Sequence, residues 1–291
     1  MGACRLRGAY LRRTVDRPLS VTTATESAFS IRGVSYRYHD LPAVSGLSIE
    51  IARGERVALL GANGSGKSTL LRLLAALSFP QQGGISFFGE ALTEQRLEKD
   101  EAFFYSFRRR VGLVFQNPDI QLFNPSVFDE VAFGPLQLRW PKEQIRERVE
   151  SVLASLGITH LRDRAPHRLS GGEKKRVALA SVLISDPEVL LLDEPSAALD
   201  PLSQAQIVDL LGSWKDGSKT VITATHDLDT LEEIADRCYV FAAGRIAGVG
   251  TPLQVLHDVP LLERTGLVRI HQHVHDSNTV HPHPHLHRHD K

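Results

Sequence analysis

Hydrophobic and polar positions of this chain first alternate as in strands and then form short apolar runs. The segments FSIRGVSYRY (residues 29–38) and LSIEIARGERVALLG (residues 47–61) are rich in β-branched residues and partly alternate. The second segment ends in an apolar run, residues 57–60, which meets the glycine-rich GANGSGKST and then the apolar-periodic LLRLLAALS. This pattern predicts a mixed sheet containing a buried strand that is followed by a glycine loop and a helix.

Later segments repeat both patterns. The runs at residues 189–192 and 220–225 have the length and composition of buried strands. LSGGEKKRVALASVLIS (residues 169–185) and PKEQIRERVESVLASLG (residues 141–157) place apolar residues at helical spacing, and Pro141 suits a helix start. The segment RCYVFAAGRIAGVGTPLQVLH (residues 237–257) predicts two strands, a turn at Gly244 and a short helix. Strands and helices are thus interleaved along the chain, as in an α/β fold.

Composition narrows the classes of protein that remain. The chain is 42% hydrophobic and 23% charged, which is ordinary for a globular domain. Its 34 basic and 34 acidic residues balance, so no nucleic-acid partner is expected. Two distant cysteines, Cys4 and Cys238, favour a reducing compartment, and the latter is expected to be a buried strand residue. No apolar run is long enough to cross a bilayer.

The first residues form a separate segment. Five arginines occur before residue 30 without the continuous apolar stretch of a secretory signal. We expect residues 1–28 to be a disordered basic arm; an organellar transit peptide or a misassigned start codon are the alternatives.

The glycine loop (residues 61–69) has the spacing G-x-x-x-x-G-K-[ST], which carries a mechanism when a strand precedes it and a helix follows. Its backbone N–H groups can surround an anion, and the helix N-terminus adds positive charge. Lys67 would reach the β- and γ-phosphates, and Ser68 would offer its hydroxyl to Mg²⁺. A chance glycine-rich turn is the alternative. The candidate nucleotide-binding residues are Gly61, Asn63, Gly64, Ser65, Gly66, Lys67, Ser68 and Thr69.

Two carboxylates stand at the end of the strand at residues 189–192. Asp193 is placed to hold Mg²⁺, and Glu194 to orient or deprotonate an attacking water molecule. This pair predicts hydrolysis. By itself it could be two solvated acids at a turn, so the prediction depends on the glycine loop.

A second anion site is predicted at the start of LSGGE. Ser170 can cap a helix whose first turn contains Gly171 and Gly172, which leaves N–H groups and a hydroxyl for an anion. Alone, this stretch is only a good helix start.

Five segments occur in the order GANGSGKST, VFQNPD, LSGGE, LLLDEPSAALD and TATHD. Together they resemble the ATP-binding cassette (ABC) family over about residues 29–250. The resemblance implies an α/β fold for residues 29–266: a P-loop, RecA-like core with an antiparallel β subdomain and an inserted helical subdomain. It also implies that two such domains, pairing head to tail, enclose two ATP molecules, each between the glycine loop of one and the LSGGE segment of the other.

The resemblance also assigns roles to individual residues. It makes Tyr38 the residue that stacks on adenine, although Tyr36 lies on the same strand face. It implies that Gln116 senses Mg²⁺ and water, that His226 contacts the γ-phosphate, and that Asp200 closes a loop at the dimer interface. Each could instead be an ordinary structural residue. The implied catalytic residues are Glu194, His226 and Gln116, and the implied Mg²⁺ ligands are Ser68, Gln116 and Asp193.

The type of cassette protein can be narrowed further. Only about a hundred residues separate the glycine loop from LSGGE, too few for the coiled coil of chromosome-maintenance relatives. A single copy of each motif excludes fused translation-factor relatives, which leaves a transporter subunit. The segment FQNPDIQLFNPSVFDEVAFGPLQL resembles the ATPases of energy-coupling-factor importers, where it receives the coupling helices of a membrane subunit. Its apolar residues either fill the chain's own core or await a partner: Leu122, Phe123, Phe128, Val131 and Phe133.

The expected function is therefore the ATP-hydrolysing subunit of an energy-coupling-factor importer. The resemblance places it at the cytoplasmic face of the cell membrane, peripheral and bound to integral membrane subunits. Intact LSGGE and an intact Glu194 permit a homodimer. An ABC ATPase for another cargo and a soluble ATP-dependent switch remain the alternatives.

The C-terminal tail, residues 267–291, contains eight of the thirteen histidines in an alternating H-x-H pattern. Imidazole is the commonest side-chain ligand for Ni²⁺, Co²⁺, Cu²⁺ and Zn²⁺, and an extended tail lets several rings reach one ion. With the importer resemblance, the tail favours nickel or cobalt as cargo; a solvated tail is the alternative. The candidate ligands are His271, His273, His275, His281, His283, His285, His287 and His289.

Overall fold

Two β-sheets organise residues 26–268, which are the residues that the computed structural model describes. The strands are β1 (Ser27–Tyr38), β2 (Leu41–Ala52), β3 (Arg56–Leu60), β4 (Gln82–Phe87), β5 (Glu90–Ala91), β6 (Val111–Val114), β7 (Val189–Asp193), β8 (Thr220–Thr225), β9 (Arg237–Ala242) and β10 (Arg245–Gly250). One sheet is antiparallel with the order β2-β1-β4-β5. The other has the order β10-β9-β3-β8-β7-β6 and is parallel except for β10.

Helices flank the parallel sheet. They are α1 (Lys67–Leu74), α2 (Glu94–Lys99), α3 (Glu101–Arg110), α4 (Val127–Gln137), α5 (Lys142–Ser155), α6 (Gly171–Leu183), α7 (Pro201–Gly212), α8 (Leu231–Ile234), α9 (Pro252–His257) and α10 (Val259–Arg264). The helix predicted after Pro141 is α5, and its inward face contains the buried Ile145, Val149 and Val152. Because α4 packs against both α5 and α6, these helices form the predicted helical part of the fold.

The parallel sheet separates two hydrophobic cores. Every residue of β3, β7 and β8 is buried, as expected for parallel strands covered on both faces. Val57 and Leu59 point into the core shared with α1, α3 and the antiparallel sheet. Ala58 and Leu60 point into the core formed with α4 to α7. This period of two follows from strand geometry and anchors β3, the strand before the glycine loop, from both sides.

The folded part extends two positions beyond each predicted limit, 29 and 266. β1 begins at Ser27, and Leu267 and Val268 pack against the core beside α4 to α7. The predicted Cys238 is fully buried in β9. The rest of the basic arm and of the histidine-rich tail lies outside the described residues. Within residues 26–268, no helix is long and apolar enough to cross a membrane.

Candidate nucleotide-binding and hydrolysis site

The predicted site residues follow strands that end at the same edge of the parallel sheet. Leu60 of β3 lies beside Thr225 of β8, and Asp193 of β7 lies beside Ala224 of β8. β6 runs parallel to β7 on its other side. The parallel register therefore brings the glycine loop, the two carboxylates, His226 and the segment containing Gln116 to one edge, where ligands bind in open α/β sheets.

The glycine loop requires its glycines. Gly66 has φ 106° at the start of α1, and a Cβ there would lie 2.6 Å from the Ala43 carbonyl oxygen. No side chain caps α1, which leaves its first N–H groups available to an anion. The hydroxyl of Ser65 is buried and has no hydrogen-bond partner among the described residues. A phosphate group would satisfy these donors, so the loop fits the predicted ligand.

Lys67 is buried at the mouth of this loop. Its Nζ donates to the carbonyl oxygens of Gly61 at 2.6 Å and Ala62 at 3.3 Å, and it lies 3.9 Å from Glu194 Oε1. Burial lowers the pKa of Lys67, while Glu194 and Asp193 act in the opposite direction. A phosphate oxygen is a stronger partner for an ammonium group than a carbonyl oxygen, so Lys67 is suited to bind phosphate.

Ser68 and Asp193 are adjacent, as the predicted Mg²⁺ site requires. Ser68 Oγ donates to Asp193 Oδ1 at 3.0 Å, and burial raises the pKa of Asp193 despite this hydrogen bond. Hydroxyl and carboxylate oxygens are ligands that Mg²⁺ prefers, with phosphates and water completing its shell. Gln116, the third predicted ligand, is exposed two residues beyond β6. The described residues contain no cluster of three or more His, Cys, Asp or Glu suited to a metal ion.

Glu194 is only 3% exposed and has φ 48°, a left-handed conformation that costs a residue other than glycine roughly 1–3 kcal/mol. Its backbone is fixed on both sides. The N–H of Glu194 donates to Ala224 O at 2.9 Å, and its carbonyl oxygen accepts from Lys175 Nζ at 2.6 Å. Its Oε1 lies 2.9 Å from Nδ1 of His226, whose side chain is 55% exposed. The pair thus links a buried carboxylate to the open edge of the sheet.

The second predicted anion segment begins α6. Ser170 and Glu173 form a reciprocal capping box, with Ser170 Oγ accepting from Glu173 N at 3.3 Å. Gly172 approaches α7 so closely that a Cβ would lie 2.8 Å from Ser203 Oγ. Asp200 caps α7 by accepting from Ser203 N at 3.0 Å. Ser170 and Gly171 are exposed, and no hydrogen bond within the described part of the chain joins them to the glycine loop.

Tyr38 ends β1 and is partly exposed. Its ring meets that of Tyr36 edge-on with centroids 5.0 Å apart. The Tyr38 ring is therefore accessible to a planar ligand, and Tyr36 supports it from the side.

Sequence reasoning missed Lys175. Lys175 lies in the basic run KKR, yet it is only 4% exposed and contacts Glu194. Helical spacing contained the signal, because Lys175 precedes the buried Ala178 and Leu179 by three and four residues.

The apolar segment after Gln116 divides into core and surface. Leu122 and Val131 are buried, and Phe128 packs against the same core with the Arg162 guanidinium carbon 4.4 Å from its ring centre. Phe123 is 66% exposed and Phe133 38% exposed, with their rings edge-to-face at 5.0 Å. Of the three phenylalanines in this segment, Phe128 is therefore unsuitable for docking, because its ring packs against the chain's own core and Arg162.

A buried carboxylate holds this exposed aromatic pair in place. Oε2 of Glu130 accepts from the backbone N–H groups of Phe123 at 2.8 Å and Asn124 at 2.7 Å. The turn that presents the Phe123 ring is thus tied to α4.

A groove of about 1010 Å³ lies elsewhere, between α3 and the chain that follows α4. Its walls include Arg109, 5.9 Å from the Trp140 ring centre, and Arg139, 5.3 Å from that of Tyr105. Acidic, basic and aromatic side chains all line the groove. Its lining residues belong to neither the glycine loop nor the carboxylate pair, so it is distinct from the nucleotide site.

The fold and this site define an ABC ATPase. The family model described as ABC transporter matches residues 44–197, more than half of the chain. The chain belongs to this family, which confirms the predicted fold class and ATPase activity.

Individual relatives show which type of ABC ATPase this chain is. The chain is 57% identical over 244 residues to the nickel import ATP-binding protein NikO of Rhodobacter capsulatus, covering 83% of this chain and 96% of that protein. It is 42% identical over 238 residues to the energy-coupling factor transporter ATP-binding protein EcfA of Methanothermobacter thermautotrophicus, covering 81% and 75%. The solved structure of cbiO1 from Clostridium perfringens, part of the ABC transporter complex cbiONQ, has a TM-score of 0.70 and 37% identity, covering 83% and 95%. The predicted energy-coupling-factor type is confirmed, whereas the roles of single site residues stay predictions.

Proposed function

We propose that this chain is the ATP-hydrolysing subunit of an energy-coupling-factor importer for nickel or cobalt ions, acting at the cytoplasmic face of a membrane. The similarity to NikO and the histidine-rich sequence after residue 267 support this cargo. An ABC ATPase for another cargo is the alternative.

The observation that carries the chemistry is the position of Glu194. Its carboxylate lies beside Lys67 and His226, while the preceding Asp193 is bonded to Ser68. Bound Mg²⁺ would neutralise phosphate charge. Lys67 binds the β- and γ-phosphates, Glu194 accepts the proton of the attacking water, and His226 orients the carboxylate through Nδ1. The remaining assignments are Tyr38 stacking on adenine and Ser68, Gln116 and Asp193 holding Mg²⁺.

A second copy of this chain completes the site. Ser170 and Gly171 are exposed and unconnected to the chain's own glycine loop. The Ser170 N–H is bonded to Glu173, so the Gly171 N–H and the Ser170 hydroxyl are the donors that suit the nucleotide of a partner. Gly172 and Asp200 lie against the start of α7 and belong to the same surface.

Membrane subunits dock on the Phe123–Phe133 pair. Two exposed aromatic rings held by a buried Glu130 form a fixed apolar projection rather than a loose turn. Such a patch favours a helix with an apolar face.

The test is Glu194→Gln in the purified chain. We expect ATP to bind as before, dimers to accumulate with ATP, and turnover to fall at least about a hundredfold, the scale of a lost general base. Glu232→Gln, an exposed position on α8, is the matched control and should hydrolyse ATP normally. Hydrolysis by Glu194→Gln near the wild-type rate would show that Glu194 is not the base.

A further inference from the structure

Lys175 connects α6 to the carboxylate at the end of β7. Its Nζ donates to the Glu194 carbonyl oxygen at 2.6 Å, and the side chain is almost completely enclosed. This bond holds the Glu194 carbonyl group. The Glu194 N–H is held separately, by its bond to Ala224 of β8.

The contact matters because Glu194 adopts a left-handed conformation. Such a conformation persists only when its surroundings impose it. Without Lys175, the carbonyl oxygen would keep only a long 3.3 Å bond from the Ala197 N–H. Return of Glu194 to a negative φ, with its N–H still bonded to Ala224, would turn the side chain about the N–Cα bond and away from His226.

Lys175 also lies within a balanced group of buried charges. The ammonium groups of Lys175 and Lys67 face the carboxylates of Asp193 and Glu194. Removal of Lys175 would leave one uncompensated negative charge beside the position of an anionic substrate.

We propose that Lys175 is a positioning residue for hydrolysis, which sets the backbone of Glu194 from the first turns of α6. This rests on the proposed role of Glu194. Lys175 follows Ser170 by five residues on one rigid helix, so the segment that meets the partner's nucleotide and the chain's own Glu194 are mechanically connected.

Lys174, the residue before Lys175, has a different partner. It points outward and pairs with Asp119 at 2.7 Å, in the short turn after Gln116. Consecutive lysines of α6 thus contact different parts of the molecule, and only Lys175 reaches Glu194.

The experiment is a double-mutant cycle in the full-length chain with Lys175→Met and Glu194→Gln. We expect Lys175→Met to lower kcat for ATP at least about tenfold while changing KM less than about threefold, because misplacement of a catalytic group affects the chemical step. In the Glu194→Gln background, single-turnover rates should change less than about twofold on adding Lys175→Met, because Lys175 acts through Glu194.

Lys219→Met is the matched control. Lys219 also donates to a carbonyl oxygen, that of Pro187 at 2.9 Å, and pairs with Asp186, but lies far along the sheet from Glu194. The Lys219→Met variant should be less stable than wild type but should keep the wild-type kcat. Binding of a fluorescent ATP analogue and the thermal midpoint verify folding, and Lys175→Gln replaces Lys175→Met if the latter does not fold.

The outcomes separate the two proposals. A normal kcat in Lys175→Met, or equal losses in both backgrounds, would refute the positioning role while leaving Glu194 as the base. Normal hydrolysis by Glu194→Gln alone would instead refute the proposed function.

Discussion

At the scale of single residues, the burial of Lys175 disfavours its charged form. Burial lowers its pKa from 10.5 to about 8, although Glu194 and Asp193 favour the charged form. Folding therefore makes Lys175 release its proton more easily than the unfolded chain does. Between about pH 8 and pH 10.5 the unfolded chain binds more protons, so this residue's contribution to the free energy of unfolding rises with pH.

The rise of the unfolding free energy with pH can be measured. From pH 7 to pH 9.5, wild type should gain about 2 kcal/mol of unfolding free energy relative to Lys175→Met, since each pKa unit corresponds to about 1.4 kcal/mol. Urea unfolding of both proteins at the two pH values measures it. Taking the difference removes the contribution of Lys67, whose pKa burial also lowers. An unchanged difference would contradict a buried, pKa-shifted Lys175.

At the scale of elements, the segment after Gln116 combines two duties within a few residues. Leu122, Phe128 and Val131 hold α4 on the core, whereas Phe123 and Phe133 extend from it. Folding and the proposed docking can therefore be altered separately.

Phe123→Glu should abolish metal uptake in cells that make the complete transporter, while ATPase activity of the isolated subunit stays within about twofold of wild type. The new charge remains in water and costs the core little, but it must be desolvated under an apolar partner. Leu253→Glu, at an exposed apolar position on α9, is the control and should transport normally. Uptake of radioactive nickel measures both, and unimpaired uptake by Phe123→Glu would exclude docking there.

Sequence patterns predicted the elements better than the partners of their side chains. The strand at residues 189–192 and the helix after Pro141 have a single dominant periodicity, so local spacing determined them. Phe128 and Phe123 are chemically equal in sequence, and only packing against α4 to α7 separates them. Lys175 was missed because its partner, the Glu194 carbonyl, lies nineteen residues away, just after β7.

At the scale of the whole molecule, the ATPase domain and the histidine-rich tail should act independently. A chain ending at Arg269 should keep its ATPase activity and lose most Ni²⁺ or Co²⁺ binding, because the eight histidines after residue 270 are the candidate ligands. Binding by the intact chain should weaken below about pH 6 as imidazoles with pKa near 6.5 protonate. Calorimetric titration of both forms with Ni²⁺ measures this, and equal stoichiometry would contradict a metal role for the tail.

The strand order of the parallel sheet has a consequence for synthesis on the ribosome. β3 lies between β8 and β9, whose residues follow it by more than 160 positions. At about 5–20 residues per second, the nascent chain carries β3 with both edges unpaired for roughly 8 to 33 seconds, until β8 has been made. The antiparallel partners β1, β2 and β4 are complete far sooner. In that interval the glycine loop has been made, but Asp193, Glu194 and His226 have not, so the nucleotide site is incomplete. The unpaired edges of β3 can meanwhile pair with strands of other chains.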